Sequence, residues 1–267
     1  MARIVRSCRL ATILLASLAA GQVQAAETVF PLGDQAQIVL PDGFNSMNAQ
    51  ETQAMLRAGG EPVSGKELGF VSPNAEDQNW SLFFDFDAIG YVKDDEKDKL
   101  DADAILTSIR EGNEHANEIR RQNKSPEMQI TGWHTKPIYN PTTKNLEWCI
   151  AATVSGHSLL NYNIRKLGRE GVMEITLVTA PASLDADLPK VRSLLDRFTF
   201  VSGKTYGEWK AGDKIAEYGL AALIAGGAAA VALKSGLLQK LIKPLIIGVI
   251  ALGGFLAKLF GGRKARE

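Results

Sequence analysis

The 267 residues include 30 basic and 30 acidic side chains, but they are unevenly distributed. Residues 26–214 hold 20 basic and 28 acidic residues, a net of −8; residues 215–267 hold 7 and 2, a net of +5; the first 25 add +3. An acidic central domain argues against nucleic acid as a partner, because that binding needs a basic footprint; the basic tail suits a membrane with anionic lipids.

The N-terminus reads as a targeting signal. Arg3, Arg6 and Arg9 precede Leu10 to Ala20, an apolar stretch too short for a settled membrane span. Val23-Gln24-Ala25 supplies the small-residue cleavage pattern, so residues 1–25 read as a signal peptide cut after Ala25 or Ala26. Cleavage removes Cys8 and leaves Cys149 alone, which excludes an internal disulfide. The alternation around Cys149 makes it a small buried hydrophobe on a strand.

Residues 26–209 are long enough for one exported domain with its own core. Strand signals lie at 36–44, 67–73 and 79–92. In the last of these, Leu82, Phe84 and Phe86 alternate with Phe83, Asp85 and Asp87, which predicts one core face and one half-wet face. Residues 128–139, 145–155, 158–168 and 171–180 read as consecutive strands joined by hairpin turns, and 196–203 adds a short last strand. Helices are predicted at 48–60, 101–123 and 183–198 from capping residues and helical spacing. The predicted class is α+β, a mainly antiparallel sheet with about three packing helices, followed by a C-terminal transmembrane helical segment. A last helix running into "LLDRFTF" resembles PsbP- and Mog1-like domains, a likeness of fold alone.

Two polar stretches are candidates for binding. "GYVKDDEKDKLDAD", residues 90–103, gathers six acids, of which Asp94 and Asp95 are the candidates. No glycine lies within 92–103 and three lysines intrude, so a calcium loop does not fit. The stretch reads instead as a hydrated turn, with Asp101 capping the next helix. In "LNYNIRKLGREGVM", Asn161, Asn163 and Arg165 share one strand face, read either as the wet face of a hairpin or as a rim for a ligand or partner. Trp133 and Trp148 read as core. His115, His134 and His157 lack metal-ligand spacing, and no nucleophile elbow, P-loop or dinucleotide fingerprint is present. No catalytic residue, metal or cofactor is therefore assigned.

Residues 210–267 read as a membrane anchor, with candidate spans near 215–233 and 241–260, each about 30 Å long as a helix. Lys243 and Lys258 lie where side chains snorkel to headgroups. The intervening lysines favour a hairpin with its loop on the cytoplasmic side; a single span followed by an interfacial helix is the alternative. Ala222, Gly226 and Ala230 form a small-residue face that suits close helix packing, within the hairpin or between copies.

Several strings together, "GYVKDDE", "KPIYNPTTKNLEW", "NYNIRKLGREGVM" and "DKIAEYGLAALIAGGAAA", resemble the bacterial membrane-anchored proteins of domain-of-unknown-function family 2167. The resemblance implies an exported domain with a C-terminal anchor and transfers no residue roles. The expectation is an envelope protein in the bacterial inner membrane, its soluble domain in the periplasm. Its partners would be membrane lipid and a protein or other envelope component. The alternatives are an enzyme acting on an envelope substrate and an assembly factor led by the tail.

Overall fold

The computed structural model describes residues 27–225, apart from 76 and 99. The expected signal peptide, Gly226, Ala230 and the span expected at 241–260 lie outside the described residues. The fold is α+β and its strands pair antiparallel. Strands β3 (Phe44–Asn48), β4 (Glu67–Pro73), β5 (Ser81–Asp87), β6 (Met128–Asn140), β7 (Asn145–Val154), β8 (His157–Leu167) and β9 (Val172–Thr179) form a seven-stranded sheet in the order β3-β4-β5-β9-β8-β7-β6. A second sheet joins β1 (Thr28–Leu32), β2 (Ala36–Leu40) and β10 (Phe198–Phe200) in that order.

The single strand expected over 36–44 is two strands. Pro41 and the turn after it end β2, and the chain crosses to the large sheet as β3. A proline cannot donate to a ladder, so the break falls where the sheet changes.

Both faces of the large sheet are covered. On one, Leu82, Phe84, Leu160, Ile164, Ile175 and Leu177 pack against Leu32 and Ile38 of the small sheet and against helix α3 (Leu184–Leu195). Cys149 lies in this core, and burial pushes its thiol up to about 12. On the other face, α1 (Ala49–Ala58) places Met55 and Leu56 over Phe70, Phe83 and Leu159. Alongside it, α2 (Ala102–Gln122) places Ile105 and Ile109 in a cluster with Leu146, Trp148 and Val172. Leu220 and Leu223 of α4 (Leu220–Ala225) belong to the same cluster.

This second cover corrects the half-wet reading of β5. Asp85 and Asp87 are buried because helices, not water, lie over their face. The outer edge of the large sheet is β6, whose ladder is broken by register shifts and which contains Pro137. Both features blunt an edge against further pairing. At the other end of the central strands, Gly171 brings the β8–β9 turn against β5: a Cβ there would lie 2.1 Å from the Asp87 carbonyl oxygen.

Two helix starts follow the expected capping chemistry. Asn48 accepts from the Glu51 amide at 3.1 Å, and Glu51 accepts from the Asn48 amide at 2.9 Å. Asp101 accepts from the amides of Asp103 and Ala104 at 3.1 and 3.0 Å, satisfying two donors that the first turn leaves open. Asp101→Ala should therefore lower stability by about 1 kcal/mol, read as a fall in denaturation midpoint with an unchanged far-ultraviolet spectrum. An unchanged midpoint would show that the cap contributes nothing.

Candidate functional site

The helix-covered face of the large sheet is apolar at both ends and polar in the middle. Along β8, Leu159 and Leu167 flank Asn161, Asn163 and Arg165; along β9, Val172 and Val178 flank Glu174 and Thr176. Period-2 alternation puts all of them on one side, and the register lines up their charges. Glu67 of β4 faces Asp85 of β5, Asp85 faces Glu174 of β9, and Glu174 faces Arg165 of β8. Four ionisable residues thus form one row across four neighbouring strands, each no more than 4% exposed.

Each acid of this region is handled differently. Glu67 is satisfied locally: one carboxylate oxygen accepts from the Ser64 amide and hydroxyl at 2.6 and 2.8 Å, the other from the Gly65 amide at 2.8 Å. Asp87, just beyond the row, accepts from Lys66 and from the Tyr218 hydroxyl at 3.1 Å. Glu174 meets the Arg165 Nε at 3.3 Å, and the Arg165 guanidinium lies 4.8 Å over the Trp148 ring. Beside them, the Thr176 hydroxyl donates to Asn163 Oδ1 at 3.3 Å.

Four acids, Glu67, Asp85, Asp87 and Glu174, meet two cations: Lys66 pairs with Asp87, Arg165 with Glu174, and neutral donors satisfy Glu67, which leaves Asp85 with no cation in contact among the described residues. Burial pushes the Asp85 carboxyl well above the ordinary range, and the charges of Glu174 and Glu67 push it the same way, against Arg165 and Lys66. Burial also raises Glu174, with Arg165 opposing. Because Arg165 touches Glu174, the proton taken up on folding belongs on Asp85. Chemically the row can bind a proton and hold an ion pair in a dry layer.

Asn161, Asn163 and Arg165 are therefore not a wet face or an open rim; they are buried at 3%, 8% and 2% exposure. Trp148 is core as expected, and Trp133 is half-buried with its Nε1 donating to the Ala102 carbonyl at 3.1 Å. Glu67, Asp85 and Glu174 were not singled out from the sequence. A lone glutamate inside "GVMEITLVTA" was the available signal, but its meaning depends on which strand lies beside it.

The acidic turn divides. Asp94 accepts from the Tyr139 hydroxyl at 2.7 Å and from the Lys144 ammonium at 2.8 Å. Burial works against the Asp94 carboxylate, yet Lys144 and Tyr139 hold its carboxyl below the usual range. Asp94 is thus a pin between the turn and the β6–β7 hairpin, while Asp95 is exposed and makes no comparable contact among the described residues. The three histidines sit on α2, β6 and β8, and neither His134 nor His157 hydrogen-bonds a carboxylate among the described residues.

The model of a family described as "Protein of unknown function (DUF2167)" matches residues 24–257. No curated protein matches. Three solved structures are similar at low identity. The cyanobacterial PsbP (CyanoP) of Synechocystis sp. PCC 6803 is 10% identical, with 70% of this chain and 99% of that one covered and a TM-score of 0.38. The Saccharomyces cerevisiae Ran-binding protein Mog1p is 13% identical, with 70% and 100% covered and a TM-score of 0.35. The Pseudomonas aeruginosa protein PA94, of unknown function and described as a putative regulator, is 16% identical, with 62% and 92% covered and a TM-score of 0.25.

The row makes stability depend on pH with a definite sign. The folded state holds a carboxyl proton more tightly than the unfolded chain does. The row's own contribution to stability is therefore full at and below the ordinary carboxylate pKa of about 4 and declines as pH rises toward the folded value. Asp85→Asn removes that titration, so the decline above the ordinary carboxylate range should flatten in denaturant melts of the variant. Arg165→Met leaves Glu174 buried without its cation and should cost about 3–5 kcal/mol at neutral pH. Parallel pH profiles for wild type and Asp85→Asn would remove Asp85 as the group taking up the proton.

Proposed function

We propose, from the premise that this chain belongs to the DUF2167 family of unknown function, that it is a membrane-anchored envelope protein. In this reading residues 1–25 direct export, the domain stands in the periplasm, and the C-terminal apolar segment holds it to the inner membrane. The domain presents its surface to a protein partner or another envelope component.

The observation that carries the reading is the junction between domain and tail. Arg169 grips Asp213 with two hydrogen bonds of 2.7 Å, and those bonds hold the Asp213 carboxyl down at about 2. The Tyr91 amide donates to the Lys214 carbonyl at 2.8 Å, and the Ala216 amide donates to the Tyr91 carbonyl at 2.9 Å. Tyr218 reaches Asp87, and Leu220 and Leu223 enter the core cluster. The chain that runs into the apolar tract is thus fastened to the domain rather than built as a slack linker. A fastened run-in suits a domain carried at a set position above a bilayer.

The first part of the span expected at 215–233 lies against the domain, and no helix of the described residues is long and apolar enough to cross a membrane. The proposal therefore places the anchor in Leu241–Phe260, whose lysines lie near its ends.

Full-length protein expressed in a Gram-negative host should remain in the membrane pellet after alkaline carbonate washing. Its N-terminus should begin at Ala26 or Glu27, and its domain should be digested by protease added to spheroplasts. An intact Met1, or release by carbonate, would sink the proposal.

A further inference from the structure

We propose that an aromatic ledge built from Tyr91, Tyr206 and Trp209, with Ile215 beside it, rests on the phospholipid bilayer and inserts Trp209 at the headgroup boundary. This rests on the membrane-anchored reading above and adds the face by which the domain meets the lipid.

The ledge is rigid. Tyr206 stacks on Tyr91 with ring centroids 4.4 Å apart, and Trp209 tilts against Tyr91 at 5.5 Å. The Tyr206 hydroxyl donates to the Val92 carbonyl at 3.0 Å, and the Lys144 ammonium lies 5.3 Å from its ring centre. The loop that carries Trp209 is closed by Glu208, whose carboxylate accepts from the Gly203 amide and from the Thr205 amide and hydroxyl. Yet this well-built loop leaves Trp209 41% and Ile215 38% exposed. Two neighbouring large side chains, one of them a tryptophan stacked on a fixed aromatic scaffold, are thus held out in water side by side rather than scattered singly.

Three features favour lipid as the occupant. Tryptophan and tyrosine carry an apolar body with a polar tip, which matches the membrane–water boundary. Exposed Lys210 and Lys214 flank the ledge, while the two acids between Tyr206 and Lys214 are engaged, Asp213 by Arg169 and Glu208 by the Thr205 loop; Glu217, further along, is exposed. The chain also ends its described course nearby. Four extended steps from Ala216, which is hydrogen-bonded to Tyr91, to Leu220 and a short helix to Ala225 put that residue within about 22 Å of Ala216. Beyond it the sequence continues into Leu241–Phe260.

Tryptophan fluorescence tests this in the full chain, because the four tryptophans are Trp80, Trp133, Trp148 and Trp209 and none lies in the tail. Trp80 and Trp148 are buried, and Trp133 is half-buried against α2. The protein is reconstituted into vesicles of phosphatidylcholine with a minority of phosphatidylglycerol, with or without acyl chains brominated near the headgroup. Brominated lipid should quench wild-type emission, Trp209→Phe should lose most of that quenching, and Trp133→Phe should retain it. Flotation of both proteins with the vesicles but equal quenching in wild type and Trp209→Phe would overturn the ledge alone and leave that surface to a protein partner. Failure of the wild type to float would overturn the anchored reading and the ledge with it.

Discussion

The ion pair between Glu174 and Arg165 fixes how the two central strands meet. Toward the small sheet both strands are mainly apolar, with Leu160 and Ile164 on β8 and Met173, Ile175 and Leu177 on β9, so a slip of two residues would still point apolar side chains at that layer. The charges would not survive that slip. Glu174 would lose the adjacent Arg165 guanidinium and remain buried, a far larger penalty than exchanging one aliphatic contact for another. The same row then ties in β5 through Asp85 and β4 through Glu67. Buried ion pairs are poor sources of net stability, and specifying an arrangement is their better-attested use. Here the arrangement is the register of the sheet on which both helical layers and the small sheet are built.

Much of the fold was legible because period and punctuation are local. The four strands from β6 to β9 and all three long helices lie within a few residues of their expected positions, since alternation, hairpin turns and caps are written in neighbouring residues. What was not legible depended on distant parts of the chain. Asp85 and Asp87 look half-wet in an alternating strand, and Asn161, Asn163 and Arg165 look like the wet side of a hairpin. Both readings assume one open sheet face, and α1, α2 and α4 close it. The site shows the same limit: Glu67, Asp85, Glu174 and Arg165 come from strands scattered over much of the sequence, and only the strand order makes them a row. Asp94 was singled out, but its role as a pin required Tyr139 and Lys144 from another hairpin.

The two polar systems meet at the same end of the domain. Asp87 links the buried row to the tail through Tyr218, while Asp94 and Arg169 hold the surfaces around Tyr91 and Asp213. The C-terminal run-in therefore rests on groups that also order the sheet. A family defined over residues 24–257 includes this junction and not the domain alone.

The order of strands also limits how the molecule can assemble. β6, β7, β8 and β9 follow one another as neighbours and can zip together hairpin by hairpin, and β3, β4 and β5 form a second such meander. The two halves join only where β5 meets β9, with α2 and three strands between them in sequence. That seam closes a long loop and cannot form until both partners exist, as does the β2–β10 pairing that brings the start of the domain to its end. The acids and the arginine of the central row straddle this seam. The Arg165–Glu174 pair lies within the β8–β9 hairpin, so what meets across the seam is one acid, Asp85, against another, Glu174, and joining the two meanders brings together like charges that favour a shared proton.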